Sequence, residues 1–330
     1  MEKISVLGAG AWGTALANIA ANNGKKVTLW VREKELIEDI RAKRRNTLFL
    51  PDIELNGNIK ATNSLEQAVA NTEAVLMVIP AQFLRATCRT LRSFFPKGLP
   101  AVICAKGIEQ GSGALLSEML AEELPQAEIA VLSGPTFAEE AAQGKPTALT
   151  LACKNETIGK ELVETLGTST FRPYYSPDLI SVQVGGAVKN VMAIAAGIIA
   201  GKKAGDNARA ALITRGLAEI SRLAVALGGQ AQTLMGLSGL GDLVLTANSS
   251  QSRNFSVGFD LGRGLSLSEI LSGKSTVAEG VFTAKAVLER AAKVNVEMPI
   301  CEGLMKILNA EASVDSVIAA LLTRPFKSED

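Results

Sequence analysis

Proton transfer in this chain has to depend on lysine, carboxylate, tyrosine or cysteine side chains, because its 330 residues include no histidine. Imidazole is the most frequent general acid and base in enzymes. Its absence excludes a Ser-His-Asp triad, a Cys-His pair and a zinc site built on two histidines. A lysine ammonium can act as the acid in carbonyl reduction, since unperturbed lysine has a pKa of about 10.4 and is charged at neutral pH.

Two lysines lie where a carbonyl-reducing site would be built. Lys106 follows a β-rich run, at the edge of the expected sheet where ligands bind. Lys189 lies in the apolar segment Val188-Lys189-Asn190-Val191-Met192, where a lysine is costly to bury unless another group pairs with it. An ammonium at either place could stabilise or protonate a carbonyl oxygen during hydride transfer. Taken singly, each could also be an ordinary surface lysine.

A glycine-rich turn near the beginning of the chain predicts a dinucleotide site. Gly8-Ala9-Gly10-Ala11-Trp12-Gly13 follows an expected strand and opens an expected helix, Thr14 to Asn22. In that context Gly8 makes the tight turn, Gly10 lets the backbone approach the pyrophosphate, and Gly13 allows close packing of helix on strand. The free N–H groups of the helix N-terminus then favour the phosphates.

The end of the second expected strand bears on the choice of cofactor. Arg32 and Glu33 follow Thr28-Leu29-Trp30-Val31. An arginine there can pair with the 2′-phosphate of NADP, whereas an acid can bind the ribose 2′-hydroxyl of NAD. Arg32 favours NADPH, and Glu33 leaves NADH open.

Short apolar runs alternate with helical patterns in the first half of the chain. Continuous apolar runs bounded by Gly, Pro or charge are typical of strands that are buried on both faces. The expected strands are Lys3 to Leu7, Lys26 to Trp30, Ala74 to Ile79, Ala101 to Ala105, Ile129 to Leu132 and Thr147 to Leu151. This alternation predicts an α/β fold with a Rossmann-type, doubly wound, mostly parallel sheet.

Beyond Val182 the pattern changes to long amphipathic stretches. In Asn207 to Gly228, for example, apolar residues recur at three- and four-residue steps. We therefore expect an NAD(P)-binding domain over residues 1–180 and an all-helical, substrate-binding C-terminal domain over residues 181–330.

The net charge and the cysteine spacing limit which binding partners and which cellular compartment we expect. The chain carries 34 Lys+Arg against 33 Asp+Glu, which gives no electrostatic case for a nucleic acid or an anionic membrane. The one basic cluster, Arg41-Ala42-Lys43-Arg44-Arg45, is interpreted as a solvated helix end. The four cysteines lack metal or redox spacing, and Met1-Glu2-Lys3 leads directly into Ile4 to Leu7 without a signal-peptide pattern. We expect a cytoplasmic protein without stable membrane insertion.

Several sequence blocks in a fixed order resemble the bacterial NAD(P)-dependent glycerol-3-phosphate dehydrogenase family. The blocks are Gly8 to Gly13, Ala105-Lys106-Gly107, Ser133-Gly134-Pro135-Thr136-Phe137-Ala138, Gly185-Gly186-Ala187-Val188-Lys189-Asn190, Gly239-Leu240-Gly241-Asp242-Leu243, Gln251-Ser252-Arg253-Asn254 and Val277-Ala278-Glu279-Gly280. The resemblance covers essentially the whole chain. It implies reversible reduction of dihydroxyacetone phosphate to sn-glycerol 3-phosphate with NADPH or NADH, which feeds glycerophospholipid synthesis.

The resemblance also implies roles for individual residues. Lys189 would exchange a proton with the C2 oxygen of the substrate, and Asp242 would pair with it. The substrate would also be bound or supported by Lys106, Gly134, Thr136, Asn190, Thr246, Ser252, Arg253 and Asn254, of which the last three would grip its phosphate. Besides the glycine-rich turn, the residues implied to line the cofactor are Ala11, Trp12, Arg32, Glu33, Lys106, Ala138, Arg253, Val277 and Glu279.

Simpler interpretations and other functions remain open from the residues alone. Asp242 could be a helix N-cap, and Ser252-Arg253-Asn254 could be a polar loop. A related 3-hydroxyacid dehydrogenase would share the architecture but would not need the phosphate grip. A non-catalytic dinucleotide sensor would need the glycine-rich turn but neither lysine. The helical half offers surfaces for a homodimer, and the sequence leaves the oligomeric state open.

Overall fold

The computed structural model describes residues 1–272 and 278–325. In these ranges the chain forms two compact units. The first consists of Met1–Glu109 and Ala114–Gln183, and the second consists of Gln110–Gly113 and the chain from Val184 onward. The boundary lies inside one continuous helix, Leu179–Gly201.

The first unit alternates strands and helices in chain order. Its elements are β1 (Lys3–Leu7), α1 (Ala11–Asn22), β2 (Lys26–Trp30), α2 (Lys34–Lys43), β3 (Ile59–Thr62), α3 (Leu65–Val69), β4 (Ala74–Met77), α4 (Ala81–Leu91), β5 (Pro100–Ile103), α5 (Leu116–Glu123), β6 (Glu128–Ser133), α6 (Ala138–Ala142), β7 (Thr147–Cys153), α7 (Glu156–Leu166) and β8 (Phe171–Ser176).

The described strands form one eight-stranded sheet in the order β3-β2-β1-β4-β5-β6-β7-β8. All neighbouring strands are parallel except β6 and β7. The strand order reverses between β1 and β4, and in open α/β sheets the crevice for ligands lies beyond the carboxyl ends of the strands at such a point. The predicted Rossmann-type, mostly parallel sheet is confirmed.

The two strands that the sequence analysis missed are β3 and β8, at the edges of the sheet. β3 contains the exposed Lys60, and β8 alternates buried Phe171 with exposed Arg172. An edge strand is solvated along one side, so it lacks the continuous apolar run that marks a central strand. Pro173 also fits an edge position, because proline cannot donate to a strand ladder.

Apolar side chains cover both faces of the sheet, which explains the continuous apolar strands. On one face Ile4 and Val6 of β1 belong to a buried cluster with Leu16 of α1. On the other face Met77 of β4 belongs to a second cluster with Leu84 of α4. Fully burying such a side chain stabilises the fold by about 1.5–3 kcal/mol.

The second unit is helical throughout its described residues, as expected for the C-terminal half. Its elements are α8 (Leu179–Gly201), which begins in the first unit, α9 (Asp206–Ala226), α10 (Ala231–Leu234), a π-helical segment (Leu237–Gly241), α11 (Asp242–Ala247), α12 (Arg253–Gly262), α13 (Leu267–Leu271), α14 (Glu279–Lys293), α15 (Pro299–Leu308) and α16 (Val314–Leu322).

Helix α8 is the one described helix that is long and apolar enough to cross a membrane by length and composition. However, 83% of its most apolar window is buried inside the structure. A core helix of a folded domain has the same composition, so this helix is weak evidence for a membrane span.

A buried carboxylate joins α9 to the beginning of α15. Glu219 is 1% exposed, and its two oxygens accept hydrogen bonds from the backbone N–H groups of Ile300, at 2.7 Å, and Cys301, at 3.4 Å. Burial raises the pKa of Glu219 to about 7, although these hydrogen bonds and the charge of Arg222 oppose the rise. The α15 N-terminus is thus capped by a side chain from another helix.

We expect the Glu219→Gln variant to change how stability depends on pH. The folded-state pKa lies above the ordinary value of 4.5, so this group stabilises most below about pH 4.5 and loses that contribution as the pH rises through 7. The raised pKa corresponds to a loss of about 3 kcal/mol in the free energy of unfolding across this pH range. Urea denaturation should therefore show the variant gaining stability relative to the native chain between pH 5 and pH 8. A stability difference between the variant and the native chain that stays constant with pH would contradict a raised pKa for Glu219.

Candidate active site

The glycine-rich turn between β1 and α1 has the shape that the sequence predicts. Gly8 has a φ of +116°, and a Cβ there would lie 2.5 Å from the carbonyl oxygen of Val78 in the strand-end segment after β4. A Cβ on Gly13 would lie 1.8 Å from the carbonyl oxygen of Gly8. Both positions therefore require glycine, and the turn lies at the point where the strand order reverses.

The N-terminus of α1 fits the phosphates of a dinucleotide. Gly10 is the N-cap residue and makes no side-chain cap, and a Cβ built on it meets nothing within 4 Å. Ala11 begins the helix, whose first turn contains no acidic residue. Backbone N–H groups can thus face an anion that approaches over Gly10. The neighbouring Trp12 packs against Phe171 with ring centroids 6.4 Å apart.

Asn46 supports this turn from the segment after α2, and the sequence analysis missed it. Its fully buried amide Nδ2 donates to the carbonyl oxygen of Ala9 at 2.8 Å and to the hydroxyl of Thr14 at 2.7 Å. Its Oδ1 accepts the N–H of Phe49 at 3.0 Å. An asparagine directly after a basic run carries no sequence signal for such a contact, because the contact joins segments that are distant in the chain.

We expect Asn46→Ala to raise the KM for NADPH about tenfold and to change kcat much less. The substitution leaves buried polar groups of the glycine-rich turn without their partner, which costs about 1–3 kcal/mol. Steady-state kinetics with varied NADPH would measure the effect. The matched control is Asn58→Ala, an exposed asparagine in the same region. Equal KM values for both variants would contradict a positioning role for Asn46.

The two candidate cofactor-selecting residues are paired with each other. The Arg32 guanidinium donates to one carboxylate oxygen of Glu33 through Nε, at 3.0 Å, and through Nη2, at 2.8 Å. The Arg32 side chain is 72% exposed. A 2′-phosphate would compete with Glu33 for this guanidinium, which explains how one site could accept both NADPH and NADH.

We expect Arg32→Ala to raise the KM for NADPH about tenfold and to leave the KM for NADH nearly unchanged, since only the 2′-phosphate needs the guanidinium. The complementary Glu33→Gln variant should shift preference toward NADPH. Comparing kcat/KM for the two cofactors checks both variants. Parallel losses with NADPH and NADH in Arg32→Ala would argue against 2′-phosphate recognition.

Three predicted substrate-binding residues of the first unit lie together. Lys106 follows β5, and its ammonium donates to the carbonyl oxygen of Gly134 at 2.9 Å. The hydroxyl of Thr136 contacts the same carbonyl at 3.4 Å. Gly134 follows β6 directly, and Ala138 begins α6 four residues later. The carboxyl ends of two neighbouring strands therefore bring these residues together, as their position after apolar runs implies.

Lys189 is buried in the middle of α8 and contacts a buried carboxylate. Its side chain is 9% exposed, and that of Asp242 is 1% exposed. The ammonium donates to Oδ1 of Asp242 at 2.9 Å and to the hydroxyl of Thr246 at 2.6 Å. Asp242 and Thr246 lie one turn apart on α11, so one helix face presents both acceptors. A carboxylate beside a buried lysine favours the ammonium form.

Asp242 lies at the point where a π-helical segment changes into an α-helix. The π-helical segment Leu237–Gly241 leads directly into α11, and π-helical turns occur frequently at functional sites. The N-cap of α11 is Gly241, while Asp242 occupies the first turn with its carboxylate on Lys189. The interpretation of Asp242 as an N-cap is therefore wrong.

The segment Ser252-Arg253-Asn254 begins a helix, so its interpretation as a polar loop is wrong. Ser252 is the N-cap of α12, and its hydroxyl accepts the N–H of Phe255 at 3.2 Å. Arg253 occupies the first turn, where the helix N-terminus adds to its positive charge. Both features suit a phosphate ligand.

Asn254 connects three of the predicted site segments. Its Nδ2 donates to Oδ1 of Asn190 at 3.0 Å, and its Oδ1 accepts the N–H of Gly280 at 2.9 Å. Asn190 follows Lys189 on α8, and Gly280 follows Glu279 at the start of α14. This side chain thus ties α12 to both helices. Val277 lies outside the described residues.

Glycines allow α8 and α12 to approach each other closely. A Cβ on Gly258 would lie 1.9 Å from the carbonyl oxygen of Ile194, and one on Gly197 would lie 2.1 Å from that of Phe255. The two backbones are therefore in direct contact. This close packing fixes the helix that carries Arg253 against the helix that carries Lys189.

Comparison with known proteins identifies the family. Residues 3–159 match the family model described as the N-terminus of NAD-dependent glycerol-3-phosphate dehydrogenase, and residues 178–319 match its C-terminus. The NAD(P)+ glycerol-3-phosphate dehydrogenase of Parvibaculum lavamentivorans is 54% identical over 99% of this chain and 98% of its own length. That of Caulobacter vibrioides is 53% identical over 99% of both chains.

A solved structure agrees with these matches. The crystal structure of glycerol-3-phosphate dehydrogenase from Coxiella burnetii superposes with a TM-score of 0.93 at 38% identity, covering 98% of this chain and 99% of that one. The two halves of the family model, the full-length relatives and the fold all lead to the same family. The chain belongs to the NAD(P)-dependent glycerol-3-phosphate dehydrogenase family.

Proposed function

We propose that this protein catalyses the reversible reduction of dihydroxyacetone phosphate to sn-glycerol 3-phosphate with NADPH or NADH. In a chain of this family, the observation that carries the proposal is the buried ammonium of Lys189 between Asp242 and Thr246. It provides an acid of the kind that carbonyl reduction needs, in a protein without histidine.

In the reduction, Lys189 donates a proton from Nζ to the C2 oxygen while C2 receives a hydride. The bound nicotinamide cofactor supplies that hydride. The carbonyl becomes an alcohol, and Lys189 is left as an amine that regains its proton from solvent. Asp242 and Thr246 orient Nζ, and the carboxylate favours its recharging. In the oxidation, the neutral amine accepts the proton.

Other residues bind and orient the substrate. Lys106, with Gly134 and Thr136 at the strand ends, holds substrate oxygens. Arg253 grips the phosphate, since a guanidinium can meet a phosphate with two hydrogen bonds. Ser252 caps the helix that carries Arg253, and Asn254 holds that helix to Asn190.

The cofactor is held by the glycine-rich turn and by residues near it. The N-terminus of α1 at Gly10 would hold the pyrophosphate in the turn that Gly8 and Gly13 shape, and Trp12 would contribute to the same site. Arg32 and Glu33 select between NADPH and NADH. The family resemblance also implies cofactor contacts for Ala138, at the start of α6, and for Glu279, at the start of α14.

The cellular setting follows from this reaction. sn-Glycerol 3-phosphate is the backbone of glycerophospholipids, so the product feeds lipid synthesis. We expect the enzyme to act in the cytoplasm, where its cofactors are available, and to form a homodimer through its helical half.

The test is a spectrophotometric assay of the purified chain. Dihydroxyacetone phosphate should accelerate oxidation of NADPH or NADH, whereas 3-oxoacids that lack a phosphate should not. Oxidation with a 3-oxoacid alone would favour the related hydroxyacid dehydrogenase. Cofactor binding without turnover on either substrate class would contradict the proposal.

A further inference from the structure

A cavity in the first unit, open to solvent on one side, contains none of the residues that the proposed function uses. It has a volume of about 400 Å³ and lies between the C-terminal part of α2 and the edge strand β3. Its polar and charged lining consists of Arg41, Arg44, Asn56 and Lys60, and its apolar lining includes Ile40, Leu55 and Ile59. This cavity contains Arg41 and Arg44, two of the four basic residues in the cluster that the proposed function leaves unused.

Two guanidinium groups are fixed at this cavity by backbone acceptors. Arg41 donates through Nη2 to the carbonyl oxygen of Ala61 at 3.0 Å, and Arg44 donates through Nε to that of Leu55 at 3.1 Å. Each guanidinium has five N–H donors, so one bond holds its orientation and leaves several donors for a ligand. These bonds restrict the two exposed side chains and so reduce the side-chain entropy that binding would cost.

The cavity lining is positively charged and includes no carboxylate among the described residues. Lys60 adds a third positive charge, and among the described residues that line the cavity none carries a carboxylate. The C-terminus of α2 accounts for basic residues in its last turn. The helix C-terminus does not account for guanidiniums that donate to the backbone of Leu55 and Ala61, which lie outside α2. Three positive charges in the lining of one cavity favour an anion there.

The cavity is separate from the dinucleotide turn. Arg32 and Glu33 directly precede α2, so the cofactor-selecting pair lies at the helix N-terminus. Arg41 and Arg44 lie at the other end of the helix. A helix of ten residues spans about 15 Å. A ligand in the cavity therefore does not coincide with the 2′-phosphate position at Arg32.

We propose that this cavity is a second anion-binding site, which takes a small organic phosphate carrying an apolar group. The phosphate would lie on Arg41 and Arg44, and the apolar group would pack on Ile40, Leu55 and Ile59. Bidentate arginine contacts suit a phosphate oxygen pair, and the apolar wall favours a ligand larger than inorganic phosphate.

The test is calorimetric titration with phenyl phosphate at low salt, with NADPH present in excess to fill the cofactor site. Arg41→Gln and Arg44→Gln should each weaken the Kd about tenfold, because each removes a charge-assisted contact. The matched control is Lys43→Gln, a basic residue of the same helix turn that does not line the cavity. Lys43→Gln should leave the Kd unchanged. Phenol alone should not bind, and circular dichroism would confirm that each variant is folded.

A second arm separates this site from the proposed substrate site. In an Arg253→Ala background the phosphate grip of α12 is removed, and binding of phenyl phosphate should persist with the same dependence on Arg41 and Arg44. Loss of all binding in Arg253→Ala, or a Kd that is unaffected by both cavity substitutions, would overturn the proposal. The absence of saturable binding to the native chain would also overturn it. None of these readouts requires turnover, so failure here is distinct from failure of the proposed reaction.

Discussion

Replacing Lys189 with alanine should lower kcat for the reduction of dihydroxyacetone phosphate by about 10²–10⁴-fold, the range that a general acid contributes. The ammonium is the group that contacts Asp242 and Thr246 in a buried setting, and no imidazole exists in the chain to replace it. Initial rates of NADPH oxidation at saturating substrate would measure the loss.

Two controls separate lost chemistry from lost binding. NADPH binding, followed by cofactor fluorescence, should be unchanged in Lys189→Ala, because the glycine-rich turn belongs to the other unit. The matched substitution Lys202→Ala lies just beyond the end of the same helix and should retain normal turnover. Near-native kcat in Lys189→Ala would show that another group transfers the proton.

Replacing Asp242 with alanine should both destabilise the protein and abolish most turnover. The carboxylate is fully buried and contacts a buried ammonium, and removing one member of such a pair costs about 3–5 kcal/mol. Asp242→Asn keeps the shape of the side chain but removes its charge. It should lose less stability than the alanine variant and still reduce kcat, because the ammonium form of Lys189 is no longer favoured. Urea denaturation and initial rates measure the two effects.

A double substitution separates stability from catalysis at this pair. Replacing a buried ion pair with apolar residues of similar volume is often neutral or stabilising. Lys189→Met combined with Asp242→Leu should therefore recover most of the stability that Asp242→Ala loses, while turnover stays absent. Recovery of turnover in this variant would contradict the catalytic assignment, and a stability below that of Asp242→Ala would contradict the energetic one.

The parts of the fold that the sequence predicts best are those with strong local constraints. The bounds of β1 and β2 match the predicted runs. β1 is buried from Ile4 to Leu7, β2 alternates buried Val27 and Leu29 with less buried residues, and charged residues or glycine lie next to both runs. The edge strands β3 and β8 carry weaker patterns, since exposed and half-buried residues alternate with their buried ones. Four described residues, Gln110–Gly113, belong to the second unit although they lie within the sheet half of the sequence, and no local pattern indicates this.

The candidate site also has parts that local sequence predicts and parts that it does not. The glycine-rich turn could be predicted because part of its steric demand is local: a Cβ on Gly13 would lie 1.8 Å from the carbonyl oxygen of Gly8. The close approach of Gly8 to Val78 joins distant segments and carries no sequence signal. The contacts of Asn46 and Asn254 could not be predicted, because each joins segments that are far apart in sequence. The pairing of Lys189 with Asp242 was implied by family resemblance and not by the residues alone. The structure places the two groups 2.9 Å apart.

The most direct test of this account follows the hydride itself. The purified protein would be incubated with dihydroxyacetone phosphate and with NADPH or NADH that carries deuterium at C4 of the nicotinamide, using each C4 diastereomer in turn. We expect sn-glycerol 3-phosphate with one deuterium on C2, formed from one of the two diastereomers. No product, or product without deuterium from either diastereomer, would contradict it.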